Sequence, residues 1–160
     1  MTEGTGGAGA RIVVGVDGTA ASLNAVRWAA HEAMLRHASV QLIFADGGYA
    51  RAAYSGSPEA SPADADDADG RALLAAAELE AGRTLPPGRV SGERAAGSPA
   101  KVLIDRSAGA ELLVLGSAYQ AARSGIDTLP PMGPVARACL RGAGCPVVVL
   151  PQREGRPARM

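Results

Sequence analysis

Aromatic side chains are nearly missing, at 3% of 160 residues. Proteins that grip single-stranded nucleic acid stack bases on aromatic rings, and this chain has little material for that. No excess positive charge substitutes for it, because Lys+Arg and Asp+Glu are equal at 16 each and give no net field toward a polyanion. Nucleic acid is therefore not an expected partner. Cysteine is equally scarce. Cys139 and Cys145 are too few for a disulfide framework, and their spacing is neither CxxC nor accompanied by the nearby histidines of a zinc site. Both are expected to be small buried hydrophobes, and no metal site is expected. Long apolar runs are absent too. IVVGV, VQLIFA, ELLVL and PVVVL are each about strand length, well short of the roughly 18 residues of a membrane span. The opening MTEGTGGAGA has neither the basic nor the apolar region of a signal peptide, so a cytoplasmic protein with no membrane partner is expected.

What is present suits one globular domain: 47% hydrophobic and 20% charged residues on a chain of 160. Residues 1–10 are Gly-rich and aperiodic, which predicts a mobile tail. RIVVGVD, 11–17, is nearly all apolar, as in a strand covered on both faces of a parallel sheet. Thr19 or Ser22 can cap a helix running to about His37, with Leu23, Val26, Ala30, Ala33, Met34 and His37 at helical spacing on its apolar side. SVQLIFAD, 39–46, is a second strand.

Residues 47–66 hold GGY, SGSP, SP and much of DADDAD, the composition of a long exposed loop. A helix is expected from about Asp67 to Arg83, its carboxylates favoured near the positive end of the helix dipole. RVSGERA, 89–95, alternates as a short outer strand. Ser98 and Pro99 open a third helix whose buried side is Val102, Leu103, Ile104 and Ala108, ended by Gly109. ELLVLGS, 111–117, is a fourth strand, Pro134 to Arg141 a last helix, CPVVVLP a fifth strand, and residues 152–160 a polar tail.

Strands alternating with helices indicate an α/β fold, an open parallel sheet with helices on both faces. Ligands of such sheets bind beyond the carboxyl ends of the strands, where the winding direction reverses. The chain has no G-x-G-x-x-G after a strand, no G-x4-G-K-[ST] and no G-x-S-x-G, so nicotinamide, P-loop and α/β-hydrolase chemistry lack their parts. Its two histidines, His31 and His37, both fall on the first helix, one as a surface residue and one at the helix end. No enzyme activity is expected.

Three segments in order, RIVVGVDGT, AGAELLVLGS and RACLRGAGCPVVVL, resemble the universal stress protein family over residues 11–151. The resemblance implies five parallel strands in the order 3-2-1-4-5, the adenine nucleotide alpha hydrolase-like arrangement. It also implies a stress-response role and a homodimer formed through the last strand, at Val147, Val148, Val149 and Leu150, with an unidentified protein as a further partner. Many members of that family bind ATP through G-x2-G-x9-G-[ST], starting after the fourth strand.

Gly116 matches the first glycine of that motif. Tyr119 stands at the second, Gly133 follows about four residues late, and Pro134 replaces the hydroxyl residue. Proline there removes a backbone N–H and a hydroxyl donor. Hydrogen bonds to charged groups contribute about 1.5 to 3 kcal/mol each, so ATP binding would weaken by about 100-fold or more. The other half of the site is kept. Val16, Asp17, Gly18 and Thr19 after the first strand match the family's acid and turn, Ala45 matches the position whose backbone meets adenine, and Ser117 and Val135 flank the altered loop. The resemblance thus implies a dimeric, non-catalytic module with weak or lost ATP binding and no expected cofactor; the alternative is a protein that binds ATP, with magnesium, in the cleft between strands one and four.

Overall fold

The computed structural model describes residues 9–47, 62–117 and 132–151, with the side chains of 62–68 outside the description. Nine elements follow in order: β1 (Arg11–Gly15), α1 (Ala20–Arg36), β2 (Ser39–Asp46), α2 (Pro62–Gly82), β3 (Val90–Ala96), α3 (Pro99–Arg106), β4 (Leu112–Ser117), α4 (Pro134–Gly142) and β5 (Val147–Pro151). The strands form one parallel sheet in the order β3-β2-β1-β4-β5, as the family resemblance implied. β1 lies at the centre between β2 and β4, so the chain winds outward in one direction through β2 and β3 and then in the other through β4 and β5.

Side chains alternate across a strand, and the sheet carries a core on each face. Ile12, Val14, Val40, Leu42, Leu112 and Val114 pack with α1 and α2. Val13, Ile43, Leu113 and Leu115 pack with α3 and α4. The near-continuous apolar strands of the sequence are explained by this double cover.

Local chemistry sets the helix ends. Thr19 is the N-cap of α1, its hydroxyl accepting from the Ser22 N–H at 3.1 Å. His37 ends α1 in the left-handed region, at φ 55. Arg89 reaches the carbonyls left open there, donating to Ala33 at 2.9 Å and to Ala38, and Arg11 does the same beyond α3, donating to Arg106 at 2.7 Å and to Ala108. Cations at helix C-termini are favoured by the dipole as well as by the hydrogen bonds.

Several expectations are corrected. α2 begins at Pro62, not at Asp67, so the expected 47–66 loop is shortened at its C-terminal end. Proline is preorganised for a first helical turn and the following carboxylates suit that end, which makes the acidic run helical and not loop. Met34 and Ala108 are exposed; the buried stripe of α1 is instead the alanine series Ala21, Ala25, Ala29, Ala30 and Ala33 with Val26. Cys139 is fully buried, but Cys145 is only half-buried, because it lies in the turn before an edge strand. Residues 1–8, the 48–61 stretch and 152–160 lie outside the described residues. Among the described residues no helix is long and apolar enough to cross a membrane.

Candidate ligand cleft

Two adjoining cavities open where β1 and β4 part, at the carboxyl ends of the strands. The larger, about 340 Å³, lies on the α3/α4 side of the sheet, within the range of about 300 to 1,000 Å³ for small-molecule sites. Its origin is a change in side-chain size along that face. Val13, Ile43, Leu113 and Leu115 fill the lower layer, while the small side chain of Ala45 above them leaves space under Pro99, Leu103 and Ala136; Gly15 is closely covered, since a Cβ there would meet Leu115 and Leu103 at 2.8 and 3.0 Å.

The backbone of β2 gives this space a polar edge. The Ile43 carbonyl accepts from Val16 N–H at 2.9 Å, after which β1 turns away. A strand shows the same backbone side at every second residue, so Ala45 presents its N–H where β1 no longer pairs with it, while its carbonyl accepts from the Gly47 N–H at 3.1 Å. An unpaired backbone donor above an apolar floor suits a flat ligand with a hydrogen-bond acceptor on its edge.

Asp17 stands at the boundary and lines both cavities. Its Oδ1 accepts from the Thr19 N–H at 2.9 Å and from the Thr19 hydroxyl at 2.6 Å, and its own N–H donates to Ser22 Oγ at 3.1 Å. Both contacts to the carboxylate fall on Oδ1, so Oδ2 faces no donor among the described residues and is open to a ligand hydroxyl.

The smaller cavity, about 300 Å³, is lined by Asp17, Gly116, Ser117, Gly133, Pro134, Val135 and Ala136. Gly133 is the N-cap of α4 without a side-chain cap bond, and Pro134 occupies the first helical position. Its missing N–H is one of four that an α-helix leaves open at its start, so Val135 and Ala136 still direct theirs out of the helix end. The loss expected from Pro134 is therefore partial.

Of the residues expected from sequence, Val16, Asp17, Ala45, Gly116 and Val135 line the larger cavity, and Ser117, Gly133 and Pro134 the smaller. Gly18 and Thr19 line neither, a correction to the expected set. Gly18, at φ +84, packs against Leu73, and Thr19 caps α1 and holds Asp17. Tyr119 lies outside the described residues. Gly116 has a different reason from the expected one: a Cβ there would meet the Ala21 carbonyl carbon at 2.4 Å. It is glycine because β4 touches the start of α1, on the face away from the larger cavity. Gly15, Gly47, Pro99, Leu103 and Ala136 were missed; only Gly15, a glycine inside a strand, carried a local sign of close packing.

Among the described residues no three His, Cys, Asp or Glu side chains are grouped to hold a metal ion. An open five-stranded α/β sheet with a crevice at its switch point, apolar at one end and lined by a helix N-terminus at the other, defines a class of architecture that places its ligand site at the carboxyl ends of the strands. The chain belongs to the universal stress protein family, whose model matches residues 10–151.

Among solved structures, UspA from Lactobacillus plantarum is similar over 89% of this chain and 97% of its own, at 21% identity and TM-score 0.67. The universal stress protein from Archaeoglobus fulgidus in complex with dAMP is similar over 88% and 96%, at 21% and 0.64. A universal stress protein family member from Arabidopsis thaliana with AMP bound is similar over 90% and 92%, at 19% and 0.56. No match was found among curated protein sequences.

Proposed function

We propose that this chain is a non-catalytic stress-response module of the cytoplasm, dimeric through β5, whose cleft takes an adenine nucleoside or nucleotide and holds ATP only weakly. The observation that carries the reading is the larger cavity, where the Ala45 N–H, left unpaired by β1, borders an apolar space and Asp17 stands at the mouth. The base would lie against Ile43, Ala45 and Leu103, and the ribose hydroxyls would donate to Asp17 Oδ2. Two similar structures hold dAMP and AMP, which supports a ligand of this kind.

The test is thermal shift with adenosine and with magnesium ATP. A ligand at 100 times its dissociation constant stabilises by about 2.7 kcal/mol. The reading expects a shift with millimolar adenosine and a small one with ATP. No shift with adenosine, AMP or ATP removes the nucleotide reading and leaves the dimeric module alone. Turnover of ATP above a protein-free control would overturn the non-catalytic part.

A further inference from the structure

β5 ends at Pro151, which pairs with Ser117 at the end of β4. The chain therefore leaves the sheet beside the smaller cavity, whose lining includes Ser117 and Asp17. QREGRPARM follows directly, with three arginines and one glutamate. An extended chain covers about 3.5 Å per residue, and neighbouring strands lie about 4.8 Å apart. β1, which leads into Asp17, is one strand beyond β4, so the long side chain of Arg153, two residues after Pro151, can reach Asp17. Arg153 also shares the parity of Val147 and Val149, which pack on the α3/α4 side of the sheet. On that side α4 borders the cavity.

The cavity has unmet polar groups among the described residues. Both hydrogen bonds to the Asp17 carboxylate fall on Oδ1, which leaves Oδ2 without a donor there. Ser117 is 7% exposed and its Oγ has no hydrogen-bond partner there, a destabilising state for a buried hydroxyl. At the start of α4, Gly133 makes no side-chain cap bond, so the N–H groups of Val135 and Ala136 stay open.

The charges say what would fit. Neither cavity is lined by Lys or Arg among the described residues, and Asp17 lines both. The start of α4 opposes a cation, but with only about half a charge, against the full charge of Asp17. A carboxylate beside the cation would use that helix end, and Glu154 follows Arg153 directly. The adjacent Arg153 and Glu154 thus complement the two charges of the cavity, each with its opposite.

We infer that residues 152–160 dock across the smaller cavity of their own chain and compete with a ligand for Asp17. Arg153 donates to Asp17 Oδ2, and the Glu154 carboxylate accepts from the Ser117 hydroxyl and the N–H groups of Val135 and Ala136. The docking is independent of the ligand's identity; the competition rests on the nucleotide reading above.

Trypsin cleavage after Arg153 in the full chain, followed by mass spectrometry, tests the docking, because a guanidinium held by Asp17 is withheld from the protease. At low salt the natural chain should be cut at least about tenfold more slowly than Asp17→Asn or Glu154→Gln. The protection should fade near 1 M salt, where charges are screened beyond about 3 Å. Steric protection by the neighbouring strand would respond to neither the substitutions nor the salt, and Glu154→Gln, beyond the last strand, decides the matter if Asp17→Asn does not fold. Titration calorimetry on the full chain tests the competition: Arg153→Gln should bind adenosine about threefold or more tightly than the natural chain. Equal cleavage in the natural chain and the folded variants overturns the inference, as does equal adenosine affinity in the natural chain and Arg153→Gln. Absence of adenosine binding in both removes the nucleotide reading, and the cleavage rates then decide the docking by themselves.

Discussion

At the scale of single residues, two glycines of the same apparent motif have opposite physical status. A Cβ at Gly116 would meet backbone of Ala21 and Ser22 at 2.4 to 2.7 Å, whereas one at Gly133 finds nothing within 4 Å, on a backbone with φ -65 that any residue adopts. Gly116→Ala is expected to lose about 1 to 3 kcal/mol of stability, and Gly133→Ala to stay within about 0.5 kcal/mol, both read from denaturant midpoints. Equal effects would mean that β4 does not press on α1 as described. Sequence alone marked both glycines as ligand residues, because a spacing pattern does not say what lies beside a missing Cβ.

Glu80 supplies a second residue-level outcome. The hydrogen bond from Arg27 at 2.6 Å holds its carboxyl below the ordinary value of 4.5, against the opposing effect of burial. An acid with a lowered folded-state pKa contributes stability above its unfolded pKa, and that contribution fades as pH falls through the folded one. Glu80→Gln should therefore be less stable than the natural chain at pH 7, and the gap should close below about pH 4. A gap that persists unchanged in acid would show that the ion pair is not its source.

At the scale of elements, the strands were legible because double burial leaves near-continuous apolar runs, and the helix starts because Thr19, Ser98 and Pro99 are terminal signals. The buried face of α1 was harder. Five alanines carry it, and alanine is only a weak mark of which side is buried, so Met34 drew the expectation outward. The larger cavity was not legible beyond Val16, Asp17, Ala45, Gly116 and Val135, since Pro99 and Leu103 reach it only once α3 is folded against the sheet.

That layering gives a direct test of the cleft. In Ala45→Leu the added side chain enters the larger cavity beside Ala45, filling it without displacing packed core. Adenosine affinity should fall at least about tenfold while stability changes by no more than about 1 kcal/mol. Unchanged adenosine binding in a folded Ala45→Leu protein would put the base elsewhere.

For the whole molecule, the five-stranded order came from family resemblance and not from periodicity, which shows strands but not their neighbours. Its consequence is that β3 and β5 are the sheet edges. The β5 residues Val147, Val148, Val149 and Leu150 are all half-buried, and an apolar edge of this kind favours pairing with another chain. The geometry supplies a clean way to separate pairing from folding. The Pro146 carbonyl accepts from Leu113 N–H at 3.0 Å, so by strand alternation Pro146, Val148 and Leu150 turn their backbone groups toward β4. Val147 and Val149 turn theirs outward. Val149→Pro accordingly removes an outward N–H, on an edge where proline is tolerated, and spares the β4–β5 ladder. Light scattering at micromolar concentration should give a dimer for the natural chain and a monomer for Val149→Pro, with near-native circular dichroism in both. A dimer that survives the substitution would move the interface away from the backbone of β5, and a monomeric natural chain would remove the dimer from the proposal altogether.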